Sequence, residues 1–426
     1  RVYMSLKDDG AKEQFKREYF KIKMFQIRWL HMLPKEWISR IPVSSLIITI
    51  DLPDTTTNKY KKINEYYTLY GVNVNRGVYT LSYQATLEYE QTRTLTAKFL
   101  NAKEKEIVFT KGASNGLNMV AFGFGMDYLE EGDEVITSEL EHHSNVLPWM
   151  EVCKKKKANL KYIPLDSTGR ITVEAFQKTL SSKTKVVALT YVSNVMGYIT
   201  PIEEITKIAH ERGIIVVVDA AQAVPHMRID VASLDCDFLA FSAHKMMGPT
   251  GFGILYGKYK YLKKMKPVEY GGDMIDIVEK YSNITKDAPF KFETGTPPVA
   301  EAIAFKEAIR YIEAIGYDKI KMHEETLLQY AKDKLSQIEG ITVYNMTTET
   351  GIIAFNINKA HPHDAATIFD ENHIALRAGH HCAQLTIKWL ECVGTLRACI
   401  YIYNDYSDID KFVEAVKEAA KYFEEW

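Results

Sequence analysis

From about residue 84 onward, short apolar runs alternate with amphipathic stretches. The runs are Glu106–Thr110, Glu134–Ser138, Lys185–Tyr191, Ile214–Asp219, Phe238–Ser242 and Gly253–Tyr256. Several are unbroken and β-branched, which suits strands buried on both faces. Between them the apolar positions recur at helical spacing, as in Ser114–Phe124 and Pro201–Arg212. This alternation predicts an α/β fold: a mostly parallel sheet with helices on both faces. After about residue 299 the pattern changes. A helical stretch, Ala300–Ile315, leads into Tyr317–Ile338; short strands follow near Ile341–Tyr344 and Ile352–Asn356, and an amphipathic helix, Ser407–Glu425, closes the chain. A smaller α+β domain is expected there. The predicted division is a divergent segment 1–63, a large domain 64–298 and a small domain 299–426.

The first 60 residues carry no clean period. Phe15–Leu33 mixes Lys16, Arg17, Lys21, Lys23 and Arg28 with Phe15, Tyr19, Phe20, Phe25 and Trp29. A helix packed on the body of the protein is expected, with a membrane-surface helix as the alternative.

Composition changes this picture little. The 426 residues are 46% hydrophobic and 25% charged, with a formal net charge of −2. That balance gives no electrostatic case for nucleic acid, and an acidic metabolite needs a local site. No apolar run reaches the length of a membrane span. The five cysteines, Cys153, Cys236, Cys382, Cys392 and Cys399, are sparse and odd in number, without CxxC spacing. A disulfide framework is not expected, and a reducing compartment fits best. A cytoplasmic protein is expected, or one of a plastid-like organelle if a targeting segment has been removed.

In open α/β sheets the functional groups lie at the carboxyl ends of strands. Five such ends carry polar residues. Thr110-Lys111-Gly112-Ala113-Ser114-Asn115-Gly116 leads into a helix whose N-terminus favours a phosphate. Glu141-His142-His143-Ser144-Asn145 offers an imidazole to stack on a flat ring. Ser193-Asn194-Val195-Met196-Gly197 is a polar loop. Asp219-Ala220-Ala221-Gln222 ends an apolar strand, where a carboxylate is costly unless paired. A protonated pyridine nitrogen is such a partner. Ser242-Ala243-His244-Lys245 supplies a lysine of the kind that forms Schiff bases, with two neighbours for a phosphate. Each end alone fits an ordinary turn; their joint occurrence points to one site.

Two further clusters fall in the small domain. Arg377-Ala378-Gly379-His380-His381-Cys382-Ala383 surrounds a cysteine with cationic and dipolar groups, which makes it a candidate nucleophile. Zinc ligation is the alternative, but adjacent residues rarely close on one metal, so no metal site is expected. Arg397, in Leu396-Arg397-Ala398-Cys399, is suited to hold a carboxylate.

With these residues in place the chain resembles the class V aminotransferase-like pyridoxal-phosphate (PLP) enzymes of fold type I. Within them it is similar to the sulfur-mobilisation (SUF, group II) cysteine desulfurases, also described as selenocysteine lyases. The resemblance covers about residues 64–426. It rests on Arg377–Ala383, Ser242–Gly251, Val218–Gln222, Glu141–Trp149 and Phe292–Pro297. It implies a mostly parallel sheet of the seven-stranded type and PLP as cofactor. Lys245 would hold PLP, His142 would stack on it, Asp219 would pair with its nitrogen and Gln222 with its phenolic oxygen. Ser114, next to Ala113, would bind the phosphate with Ser242 and His244. Thr296 would reach the phosphate of the other subunit of a homodimer. Asn194 and Arg397 would hold the substrate carboxylate, with Arg377 and His381 beside them, and Cys382 would take sulfur from L-cysteine. The implied partner is a sulfur-acceptor protein of the SUF pathway serving iron–sulfur cluster assembly.

The sequence departs from that pattern at Leu52-Pro53-Asp54, where small residues are usual after Asp51. It also departs at Asn75 and Tyr79, Ala113-Ser114-Asn115, Ala243 and Pro298. The rival readings are selenocysteine lyase, another class V lyase, or a non-catalytic scaffold in a sulfur-transfer complex. Turnover of the two amino acids separates the first, and a colourless or inert protein would indicate the last.

Overall fold

The computed structural model describes residues 53–425, with side chains from residue 58 to 425. The Phe15–Leu33 segment, and Asp51 and Leu52, lie outside the described residues. Pro53 and Asp54 open helix α1 (Pro53–Leu69), and α2 follows (Thr80–Leu100).

Seven strands then form one sheet: β1 (Ile107–Thr110), β2 (Glu134–Ser138), β3 (Asn159–Ile163), β4 (Thr184–Thr190), β5 (Ile215–Asp219), β6 (Phe238–Ser242) and β7 (Gly253–Gly257). Their order is β1-β7-β6-β5-β4-β2-β3. The five strands from β6 to β3 pair in parallel, whereas β7 runs antiparallel to both β6 and β1. All five β5 residues are buried, so the run Ile-Val-Val-Val-Asp has no solvent face. Burying each such aliphatic side chain contributes roughly 1.5–3 kcal/mol. Helices α3 (Ala113–Val120) and α4 (His143–Lys156) follow β1 and β2 and join α5 (Val173–Thr179) and α6 (Ile202–His210) on the sheet. Because the central strands are parallel, the ends of β2, β4, β5 and β6 fall on one edge.

A hairpin of β8 (Ile275–Val278) and β9 (Asn283–Thr285) precedes the long helices α7 (Val299–Ile315) and α8 (Tyr317–Leu335). The remaining strands form a four-stranded antiparallel sheet, ordered β10-β11-β13-β12. They are β10 (Ile341–Val343), β11 (Ile352–Ile357), β12 (Arg377–Gly379) and β13 (Thr395–Cys399). Helix α9 (Pro362–Glu371) lies between β11 and β12 in sequence, and α10 (Tyr406–Glu424) comes last, started by a capping box of Asp405 and Asp408. Within this sheet Arg377 pairs directly opposite Arg397, so both guanidinium stems leave the same region.

The strands and helices expected within the described residues are present, with ends shifted by a few residues. Five strands were not expected: β3, the two strands of the β8–β9 hairpin, β12 and β13. β3 follows a lysine-rich stretch and is half-exposed at the sheet edge, so it lacks the unbroken apolar run of its neighbours.

Candidate active site

Three strand ends make the floor. At the end of β5, Asp219 is 4% exposed, and among the described residues its carboxylate accepts one hydrogen bond, from the backbone of Ala221, 2.9 Å from Oδ1. After β6 a single 3₁₀ turn, Ala243–Met246, carries Lys245. Met247 and Gly248 reverse the chain; a Cβ on Gly248 would sit 2.7 Å from the Ala243 carbonyl. Lys59 of α1 fastens this reversal by donating to the Met247 carbonyl at 3.1 Å. Lys245 itself has no hydrogen-bond or ion-pair partner among the described residues.

After β2, His142 caps α4, its Nδ1 accepting from Ser144 N at 3.1 Å. The ring therefore carries any proton on Nε2. Burial pushes the His142 imidazole down to about 4, helped by the nearby Lys245, His143, Arg377 and Arg397. Burial also lowers Lys245; Asp219 opposes this, while Arg397 and Arg377 add to it. Asp219 is raised by burial, and the Lys245 ammonium holds it back. His142, Asp219, Arg377 and Arg397 all lie close enough to Lys245 to influence its charge or be influenced by it.

The N-terminus of α3 closes one side. Ser242 Oγ accepts from Ala113 N at 2.8 Å and keeps its own proton free to donate. Gly112 has φ of +141°, and a Cβ there would approach Ser242 Oγ to 3.2 Å. Ser114 and Ser144 share a hydrogen bond at the rim. His244 is exposed, and Gln222 is half-buried without a partner among the described residues. Thr296 is exposed and bonds to none of these groups.

The four-stranded sheet closes the other side. Arg397 donates to the Asn194 carbonyl at 2.6 Å, and Asn194 Nδ2 donates to the His381 carbonyl at 2.8 Å. His381 is buried and its Nε2 meets the Thr395 carbonyl and hydroxyl at 2.9 and 2.8 Å. Asn194 Oδ1, Arg397 Nε and His381 Nδ1 are buried without hydrogen-bond partners. Cys382 is half-buried, with Arg377 Nη2 donating to its sulfur at 3.3 Å. No group of three or more metal-ligating side chains occurs among the described residues.

Sequence reasoning missed Glu141. It is fully buried, accepting from Ser138 Oγ and Asn145 Nδ2, each at 2.6 Å. Burial raises its carboxyl to about 7, with Asp219 adding to the rise. The available signal was an acidic residue just before His142.

The residues fit PLP, the cofactor that the resemblance implies. A buried carboxylate without a cationic bond, an unpaired lysine, an imidazole ring and a helix N-terminus beside a free hydroxyl face one cleft. These match, in turn, a ring nitrogen, an aldehyde, a ring face and a phosphate.

His381, like His142, is pushed down to about 4, by burial first and then by Arg397. Both imidazoles are thus neutral when folded at pH 7, and their unfolded value is about 6.5. Their contribution to stability is present above pH 6.5 and is lost as pH falls toward about 4. Urea midpoints should decline across that window, and less steeply in a His381→Asn variant. Equal slopes in variant and parent would contradict it.

Known proteins point the same way. The Aminotransferase class-V family pattern matches residues 54–412. A protein of Halalkalibacterium halodurans named "Probable cysteine desulfurase" is 49% identical over 85% of this chain and 89% of its own length. A Staphylococcus aureus protein of the same name is 47% identical over 85% and 88%. Among solved structures, an apo cysteine desulfurase from Thermococcus onnurineus superposes with a TM-score of 0.83 at 38% identity, covering 86% of this chain and 92% of that one. The Escherichia coli cysteine desulfurase CsdA, in its S-sulfonic acid form, gives 0.81 at 35% identity with the same coverage. With this family match laid over the geometry above, the chain belongs to the class-V aminotransferase family, whose cofactor is pyridoxal phosphate.

Proposed function

We propose that the chain is a PLP-dependent cysteine desulfurase of the SUF type, converting L-cysteine to L-alanine and leaving a persulfide on Cys382. The observation that carries this reading is the placement of Cys382. Its thiol lies beside Arg377, on a turn that Asn194 and the backbone of His143 bind to the cofactor cleft.

When bound, PLP supplies an electron sink for the substrate α-carbon. Lys245 would hold it, with Asp219 facing the ring nitrogen, His142 the ring, Gln222 the phenolic oxygen, and Ser114, Ser242 and His244 the phosphate. Arg397 grips the substrate carboxylate, assisted by Asn194 through its uncommitted N–H. Lys245, lowered by burial, is suited to take the α-proton. The Cys382 sulfur attacks the sulfur of cysteine, the substrate C–S bond breaks, and the carbon skeleton leaves as alanine. One thiol and one cysteine become one persulfide and one alanine, with no outside oxidant. The sulfur then passes to an acceptor protein serving iron–sulfur cluster assembly.

We read residues 64–298 as the cofactor domain and 299–426 as the domain bearing the thiol. Thr296 is assigned to a second copy's phosphate, in a homodimer. The exposed Tyr67, Leu69, Val78, Tyr79, Leu81 and Tyr83 favour such a partner surface.

The test is to record the visible spectrum, add L-cysteine with a reductant, and assay both products. A band near ~420 nm with alanine and sulfide in equal amounts supports the reading. A band without products sinks it while keeping the cofactor.

A further inference from the structure

The turn that carries the thiol closes on itself through one bond, Ala383 N to the His380 carbonyl at 2.8 Å, which by itself does not account for its backbone conformation. His381 and Cys382 both lie in the left-handed region, with φ of +53° and +57°. Consecutive non-glycine residues rarely adopt that conformation, so external bonds must retain it. Three do. Cys382 O accepts from His143 N at 2.7 Å, His381 O accepts from Asn194 Nδ2 at 2.8 Å, and the His381 ring is held by Thr395. The first is a main-chain bond, and the third comes from the same small sheet as the turn. Asn194 is the side chain that reaches across from the β4–α6 loop.

That loop is itself fixed. Met196 N donates to Ser193 Oγ at 3.1 Å, and Asn345 Nδ2 donates to the Met196 carbonyl at 2.9 Å. Gly197 has φ of +63°, and a Cβ there would lie 2.2 Å from Thr348 Oγ1. Asn194 therefore stands on a rigid base, its carbonyl on Arg397 and its amide on the thiol turn.

We propose that Asn194 is a positioning residue for the Cys382 thiol: its amide retains the left-handed His381–Cys382 turn and, through Arg397, ties that turn to the carboxylate site. The functional weight of this role rests on Cys382 being the sulfur acceptor; the clamp itself does not. An asparagine amide has two N–H groups, so one remains for a substrate carboxylate while the other stays on His381. The arrival of substrate and the placement of the thiol thus meet at one side chain.

The experiment follows alkylation of each cysteine by iodoacetamide in cofactor-loaded protein without substrate, read by peptide mass spectrometry. Exposed Cys399 is the internal reference. Asn194→Asp keeps the shape and removes the donor; Asn194→Ala removes both. In each, Cys382 should react about tenfold faster relative to Cys399, as the released turn opens, with the visible band unchanged. In Asn194→Asp, kcat should fall by about a hundredfold, the scale of a small misplacement of a reacting group. An unchanged Cys382 to Cys399 ratio with only a raised KM would overturn the proposal and leave Asn194 a substrate contact. Should Asn194→Ala fail to fold, Asn194→Asp alone decides. If the parent protein makes no alanine, the desulfurase reading falls, while the alkylation ratio still tests the clamp.

Discussion

Replacing Cys382 with alanine is expected to reduce alanine formation from L-cysteine by about a thousandfold or more, while the cofactor band stays intact. The two readouts separate because the thiol and the cofactor groups sit on different walls of the cleft. Cys382 projects from the turn after β12, whereas Asp219 ends a strand of the large sheet and Lys245 sits on the 3₁₀ turn that follows another. Cys153 and Cys236 are buried in the core, and burial pushes their thiols up, the first to about 11. Cys392 is half-buried, its thiol turned to the Ile387 carbonyl at 3.9 Å. Cys399 is exposed at the end of β13, two residues beyond Arg397, so any residual turnover would be traced there first. Cys382→Ser should be as inactive, since a hydroxyl forms no persulfide. Full sulfide production by either variant would rule out the mechanism.

The second large effect belongs to Lys245. Lys245→Ala should lose the band near ~420 nm and at least about a thousandfold in turnover, because on the proposed reading one side chain both attaches the cofactor and moves the α-proton. Its surroundings favour an uncharged amine: burial dominates, and Arg397 and Arg377 oppose a further positive charge. The variant keeps Asp219, His142 and the α3 N-terminus, so cofactor added in excess should still bind, non-covalently. A small added amine should restore part of the turnover. A retained band that resists dialysis would place the attachment on another lysine.

Much of this was legible in the sequence, for a physical reason. Strands buried on both faces read as unbroken apolar runs, so polar residues at their ends stand out. Asp219 after Ile214–Val218 is the clearest case, and Lys245 after Phe238–Phe241 the next. β3 was not legible, because an edge strand exposes one side and Asn159–Ile163 looks like a charged linker. The orientation of β7 was also hidden, since periodicity does not report strand direction. Glu141 escaped because its role lies in burial and partners instead of spacing. The hold of Asn194 and His143 on the Cys382 turn joins positions nearly two hundred residues apart and more, which no local pattern records.

A thiol mounted on a clamped turn has little reach. On the proposed reading, sulfur loaded there would not travel outward on a swinging arm, so whatever collects it would have to bring a nucleophile into the cleft. Delivery would then be governed by who fits the entrance, and the stiffness that places the thiol would also limit which acceptors reach it.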